Sequence, residues 1–290
     1  MALSAELPRF IEVEISAFCN RRCSWCPNHD HARGRSTEVL DPAIWQALLA
    51  ELGSLGYDGE FAFHNYNEPL LAPDCLVRLA QARAALPRAR LVLFSNGDPL
   101  ARDPRLLDAL AASGLDELRV TRYPKESEAG LPPQAAHLRA WLARIGLPAE
   151  QVPVIDEGRR LVAETRLAGL RVRVIAPRVG HYSDRGGSLS GHPLLCRTQR
   201  REPCLLPSNS AAIDVHGRLK LCCQIYDTTT ADGARWVGGD LAEGGFLAAW
   251  RGARMARLRR LTASGQFGTL EPCRFCSHKS GLSAITQAAA

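Results

Sequence analysis

Apolar and polar positions follow two rhythms in the first two-thirds of the chain, and the rhythms alternate. Short runs with period two, or with continuous apolar character, predict strands at residues 10–15, 60–64, 91–95, 117–121, 151–155 and 171–176. Segments with helical spacing lie between them. Asp41-Pro42 is an N-cap followed by proline at the first helical position. Ile44, Trp45, Leu48, Leu49 and Leu52 then form an apolar stripe. Pro73-Asp74 opens a second helix toward Leu86, and Asp103-Pro104 a third that ends at Gly114. Strands alternating with helices predict an α/β chain with a parallel sheet. Six such units predict an open, partial barrel, whose chemistry would sit beyond the carboxyl ends of the strands. Cys19, Glu68 and Asn96 fall just there.

The pattern changes after about residue 180. Gly186-Gly187, Gly191-His192-Pro193 and Pro203 read as loop, and one hairpin is legible, residues 211–215 and 219–222 around a His216-Gly217 turn. Arg251, Arg254, Arg257, Arg259 and Arg260 share a helical stretch with Phe246, Trp250, Leu258 and Leu261, an amphipathic helix with a solvated face. The last residues, 287–290, are expected to fray.

Composition narrows the function classes. A length of 290 residues fits about two domains, and 46% apolar residues suffice for a core. No stretch approaches the ~18 apolar residues of a membrane helix, and the first residues carry no basic-then-apolar export pattern. Ten cysteines in such a chain predict metal ligation in a reducing cytoplasm rather than a disulfide framework. The net charge of +6 is almost entirely arginine, since Lys125, Lys220 and Lys279 are the only lysines. That is a weak footprint for nucleic acid, so neither nucleic acid nor membrane is the expected partner.

The chemistry is concentrated in cysteines. Cys19-x₃-Cys23-x₂-Cys26 follows the alternating run Phe10-Ile11-Glu12-Val13-Glu14-Ile15. Three thiolates in one short loop can hold three irons of a [4Fe–4S] cube and leave the fourth open. A zinc site or core thiols are the alternatives, although zinc usually takes a full tetrahedral set. Two further segments stand at strand ends, His64-Asn65-Tyr66-Asn67-Glu68-Pro69 and Ser95-Asn96-Gly97-Asp98. The first loop, with Trp25 as its aromatic, resembles the C-x₃-C-x-aromatic-C signature of the radical S-adenosylmethionine (SAM) superfamily. The second segment looks like that family's Gly-Gly-Glu-Pro stretch with Tyr66-Asn67 in place of the glycines. The resemblance implies a partial (β/α)6 TIM barrel over residues 1–187. It also implies that Glu68, with Tyr66 and Asn67, seats the SAM ammonium, and that Ser95 and Asn96 meet its ribose or carboxylate. SAM on the open iron would then yield a 5′-deoxyadenosyl radical that abstracts an unactivated hydrogen. As plain structure, Glu68 would be a surface carboxylate before a proline, and Asn96-Gly97 a turn.

Cys204-x₁₂-Gly217-x₄-Cys222, followed by Cys273-x₂-Cys276, resembles the SPASM/Twitch extension of radical SAM enzymes. No cysteine follows Cys276, which points to the shorter Twitch form, over residues 188–290, with one auxiliary [4Fe–4S] cluster acting as an electron relay; a structural zinc site is the alternative. The chain is further similar to the alcohol-oxidising radical SAM dehydrogenases of aminoglycoside biosynthesis. This rests on Phe63-His64-x-Tyr66-Asn67-Glu68-Pro69, Arg185-Gly186-Gly187 and Pro207-Ser208-Asn209. That likeness implies a small cyclitol or sugar substrate, with Arg185 orienting its hydroxyls and assisting loss of the hydroxyl proton. It also implies a flavodoxin- or ferredoxin-like electron donor. Cys223-Gln224 departs from the family, which carries an aromatic and a glutamate there. Gln224 cannot pair with a substrate ammonium, and Cys223 suits a hydrogen-atom donor, so a redox-neutral epimerase is a second expectation. A peptide-modifying maturase is a third, weakened by the early position of Cys19, and a non-enzymatic iron–sulfur or zinc module is the alternative of another class. Cys75 is expected in the core, and Cys196 either in the core or near the auxiliary cluster.

Overall fold

The computed structural model describes residues 6–128, 130–179, 184–189, 195 and 198–277. Cys196 and the tail expected to fray lie outside them. Ten strands form one sheet in the order β10-β9-β8-β1-β2-β3-β4-β7-β6-β5. They are β1 Phe10–Val13, β2 Glu60–Phe63, β3 Arg90–Ser95, β4 Glu117–Thr121, β5 Val154–Asp156, β6 Arg160–Leu167, β7 Leu170–Pro177, β8 Ser210–Ile213, β9 Arg218–Lys220 and β10 Val237–Asp240. The six central strands, β8 to β7, pair in parallel, and the flanking pairs are antiparallel. The sheet does not close, in keeping with an open barrel.

Two expectations need correction. Residues 151–155 are not a parallel strand. Most of that run precedes β5, which forms an antiparallel edge with β6, a strand the pattern reading missed. The sixth parallel strand is β8, from the region assigned to the second domain. The strands on either side of residue 187 therefore share one sheet.

The helices are α1 Pro42–Ser54, α2 Cys75–Ala85, α3 Asp98–Arg102, α4 Leu106–Ala112, α5 Ala135–Arg144, α6 Leu206–Asn209, α7 Ala231–Ala234, α8 Leu241–Arg251, α9 Ala253–Ala263 and α10 Glu271–Arg274. Asp41 caps α1 by accepting from the Ala43 amide at 2.6 Å. The arginine-rich stretch is two helices, not one. The backbone leaves helical geometry at Gly252, and α8 is itself kinked at Gly245. Successive strand residues face opposite sides of the sheet. Ile11, Val13, Phe61, Phe63, Leu91, Leu93, Leu118 and Val120 join the helical stripes of α1, α2 and α5 in one core that also holds Phe246 and Trp250. Cys75 is buried there, as expected.

The opposite face is charged. At the amino ends of the strands, buried Glu117 meets Arg90, Arg119 and Arg171, and Glu60 bonds Arg119 at 2.9 Å. This network forms the floor of the half-barrel, and the functional residues lie above it.

Candidate active site

The cluster loop leaves β1 and folds over the strand ends. Cys19 N–H bonds Gly34 O at 3.0 Å, and Cys26 N–H bonds Cys23 O at 2.9 Å. Gly34 has to be glycine, since a Cβ there would lie 2.5 Å from the Asn28 side chain. Asn28 is buried and bridges three segments: Nδ2 donates to Tyr66 O at 2.7 Å, and Oδ1 accepts from Tyr226 Oη at 2.8 Å. Glu14 is completely buried and plays a similar part. It pairs with Arg33 Nη2 at 2.5 Å, accepts from Tyr66 N at 2.9 Å and lies 3.7 Å from Lys220 Nζ. Burial works against its charge, but the two cations hold its carboxyl below the usual range. Asn28, Glu14, Lys220 and Tyr226 were all missed by sequence reasoning. Their partners are distant in sequence, and no local spacing marks them.

One cavity of about 320 Å³ gathers Cys19, Cys23, Cys26 and Trp25 with Tyr66, Asn67, Glu68, Ser95 and Asn96. Arg185, Cys223 and Gln224 line the same cavity. All the residues expected at the first cluster, the cofactor seat and the substrate thus converge. The volume suits a small-molecule site.

Glu68 is buried and accepts from Asn96 N at 2.6 Å, Ser95 Oγ at 2.8 Å and Leu70 N at 3.3 Å. Asn96 in turn donates to Asn20 at 2.8 Å, and Asp98 grips Arg21 at 2.6 Å and Arg122 at 3.1 Å. Glu68 is therefore not a surface carboxylate, and Asn96-Gly97 does more than turn the chain: it ties the loop after β3 to the cluster loop. Burial raises the Glu68 carboxyl to about 7, against the pull of its three donors. If it faces the SAM ammonium, affinity for SAM should rise with pH up to about 7 and level off above it. Below that point it should fall about tenfold per unit. Calorimetric SAM titrations of wild-type and Glu68→Gln enzyme check this, the variant being expected to bind weakly at every pH. A flat wild-type profile would leave Glu68 as scaffold alone.

The fit to SAM also shows in what the protein leaves unmet. Asn65 Nδ2 and Asn67 Oδ1 are buried, line the cavity and have no hydrogen-bond partner among the described residues. Buried polar atoms cost free energy unless bonded, so a polar ligand is what this seat lacks. Asn65 also sits at φ 127°, a strained value for a residue with a side chain.

The three thiols suit a thiolate-held cluster in number and chemistry, and they line one cavity. Unliganded, they are held protonated by burial, Cys19 up to about 11 and Cys23 up to about 12. Cys204, Cys222, Cys273 and Cys276 line a second, narrow cavity of about 20 Å³, and Gln224 lines both cavities. Burial and the neighbouring thiols raise Cys273 to about 12. Four soft donors on one small space fit an auxiliary cluster.

Arg185 stands at φ 52°, followed by Gly186 at 67° and Gly187 at 87°. This left-handed run is tolerable because two of its three residues are glycine. It brings Arg185 Nη1 within 3.1 Å of Gln224 Oε1. The guanidinium keeps its charge: burial opposes it, but Tyr66, Cys26, Tyr123 and Cys223 together raise its pKa.

Known proteins resemble this chain in sequence and in fold. Residues 13–121 match the radical SAM superfamily, and residues 204–277 match SPASM, an iron–sulfur cluster-binding domain. A SAM-dependent 2-deoxy-scyllo-inosamine dehydrogenase of Niallia circulans is 27% identical over 272 residues, covering 93% of each chain. A crystal structure of BtrN in complex with AdoMet and 2-DOIA superposes with a TM-score of 0.65 at 24% identity, covering 94% of each chain. Native anSMEcpe with bound AdoMet superposes with a TM-score of 0.54 at 9% identity, covering 93% of this chain and 91% of that one. These two structures bear on the fold.

Proposed function

We propose that this chain, whose residues 13–121 match the radical SAM superfamily and whose residues 204–277 match an iron–sulfur SPASM domain, uses SAM and [4Fe–4S] clusters to oxidise a secondary alcohol of an aminocyclitol or related sugar to a ketone in natural-product biosynthesis. The observation that carries this reading is the place of Gln224, which lines both the SAM-side cavity and the four-cysteine cavity. A substrate beside Gln224 has a radical source on one side and an electron acceptor on the other. Bound in these two sites, SAM and the clusters supply a 5′-deoxyadenosyl radical to remove a hydrogen atom and an acceptor for the second electron.

The residues divide the remaining work. Cys19, Cys23 and Cys26 would hold the first cluster, and Trp25 lines the same cavity. Cys204, Cys222, Cys273 and Cys276 hold the auxiliary one. Asn65, Asn67 and the Glu68–Ser95–Asn96 net seat SAM. Arg185 and Gln224 orient substrate hydroxyls. The division at residues 1–187 and 188–290 is then one of chemistry, laid on a shared sheet. A flavodoxin- or ferredoxin-like protein is the proposed electron donor and the cytoplasm the proposed setting. Among the described residues no helix is long and apolar enough to cross a membrane.

The test is product analysis with reduced, reconstituted enzyme and 2-deoxy-scyllo-inosamine as probe. Ketone and 5′-deoxyadenosine are expected in equal amounts; 5′-deoxyadenosine without ketone from this or other cyclitols would count against the reading.

Epimerisation has one observation in its favour. Cys223 lines the cavity, and burial, helped by Glu12, holds its thiol protonated, up to about 12. A hydrogen-atom donor has to carry that hydrogen. For a dehydrogenase, Cys223→Ala is expected to keep ketone formation within about tenfold of wild type, since a small buried thiol is then mainly packing. Carbon-bound deuterium acquired from heavy water by wild type, and lost in the variant, would establish the epimerase instead.

A further inference from the structure

Alcohol oxidation, on the dehydrogenase reading above, takes one hydrogen from carbon as an atom and leaves a hydroxyl proton that needs a base. Arg185, expected from resemblance to assist that step, cannot accept a proton, because a guanidinium has no acceptor. Glu68 already accepts three hydrogen bonds from the protein. Tyr66 Oη donates to Gln224 O at 3.2 Å.

His64 is different. It follows β2 on the inner face, lines the main cavity and is about one-third exposed. Its Nδ1 lies 2.7 Å from Glu12 Oε2, on a carboxylate buried in β1. A carboxylate accepts, so Nδ1 carries the proton and Nε2 offers its lone pair. Nε2 has no partner among the described residues. The ring lies against Phe94 of β3, centroids 3.9 Å apart, and the Arg119 guanidinium of β4 stands over Phe94 from 5.2 Å. Thus three neighbouring strands lock the imidazole plane. Glu12 lies behind it and Arg119 beyond Phe94; the other titratable groups lining the cavity are Arg21, Tyr66, Glu68, Tyr123, Arg185, Cys223 and the three cluster-loop thiols. An imidazole oriented by a buried carboxylate and facing a cavity is the arrangement of a general base.

The geometry points to His64 as the catalytic residue that takes the hydroxyl proton of the substrate, with Glu12 as the positioning residue behind it. The O–H bond breaks and its proton passes to Nε2. The carbon-bound hydrogen leaves as an atom to the SAM-derived radical, and the remaining electron goes to the iron–sulfur acceptor of the proposed function. The alcohol loses two electrons and two protons' worth of hydrogen, and the C=O bond forms. Glu12 stabilises the imidazolium that results.

The experiment uses reconstituted enzyme with 2-deoxy-scyllo-inosamine deuterated at the carbinol carbon. His64→Gln should still deliver deuterium into 5′-deoxyadenosine at wild-type iron content, with ketone formation down about 10²–10⁴-fold. Added imidazole should restore part of the ketone in His64→Ala. Glu12→Gln should lower ketone yield, and Glu12→Asp should recover part of it. Ketone from His64→Gln within about tenfold of wild type would overturn the assignment. So would loss of iron or of deuterium transfer in that variant, which would make His64 part of the scaffold. A wild-type enzyme that makes no ketone sinks the dehydrogenase reading itself, and this inference with it.

Discussion

Replacing Cys26 by Ala is expected to abolish SAM cleavage while leaving the rest of the chain folded. Two cubane clusters predict about eight irons per chain, and the variant should retain about four. The reason is the ligand count. The cluster loop offers Cys19, Cys23 and Cys26, and an open iron for SAM leaves no ligand to spare. Cys75 cannot stand in, because it is buried in the core at the start of α2. Replacing Cys273 by Ala should give the complementary result, about four irons with SAM cleavage intact and ketone lost. Iron assay and 5′-deoxyadenosine quantification read both. A Cys26→Ala protein that cleaves SAM at the wild-type rate would place the first cluster elsewhere.

Glu14→Gln is expected to cause the largest loss of stability of any single isosteric change in the site. The carboxylate is buried against Arg33 and near Lys220, and Lys220 is itself fully buried, with its Nζ 5.4 Å from the Tyr66 ring centroid. Removing one partner of a buried ion pair leaves the other charge uncompensated, at a cost of about 3–5 kcal/mol. For a chain of this size that lowers Tm by on the order of 10 °C. Calorimetry of Glu14→Gln and of Glu14→Gln with Arg33→Met checks it; the double variant should recover part of the loss, since one of the two stranded cations is gone. The carboxyl is held below its ordinary value, so its stabilisation is complete above about 4.5. It disappears as pH falls through the lower, native value. Wild type should therefore lose stability in acid more steeply than the variant. Equal thermal stability of the two proteins at neutral pH would show that Glu14 is not a keystone.

The parts of the site that were legible in the sequence are those set by covalent spacing. Cys19-x₃-Cys23-x₂-Cys26 and Tyr66-Asn67-Glu68-Pro69 are local, so the loop carries its own signature. The alternation Ile11-Glu12-Val13-Glu14 is equally clear, but it reads as a strand with one wet face. The structure dries that face: Glu14 is buried against Arg33 of the cluster loop and near Lys220 of β9, and Glu12 against His64, so the two carboxylates become an anchor and a histidine partner. The β5–β6 hairpin was misread because Gln151-Val152-Pro153-Val154-Ile155 has strand-like residues but no partner a local pattern could name. Asn28 meets Tyr226 across nearly two hundred positions, and no periodicity reports such a contact. The break at Gly252 was hidden by arginines that keep helical spacing on both sides of it.

The pairing of β1 with β8 also has a bearing on how the protein is made. Phe10–Val13 lies parallel to Ser210–Ile213, a pairing that spans 200 positions. At roughly 5–20 residues per second of synthesis, β1 waits about 10–40 s for this neighbour, with one edge unpaired. Exposed edges invite pairing with other chains, and closing so long a loop slows folding. The strand that leads into the first cluster loop thus completes its pairing only after the translating ribosome has passed the first cysteine of the second set.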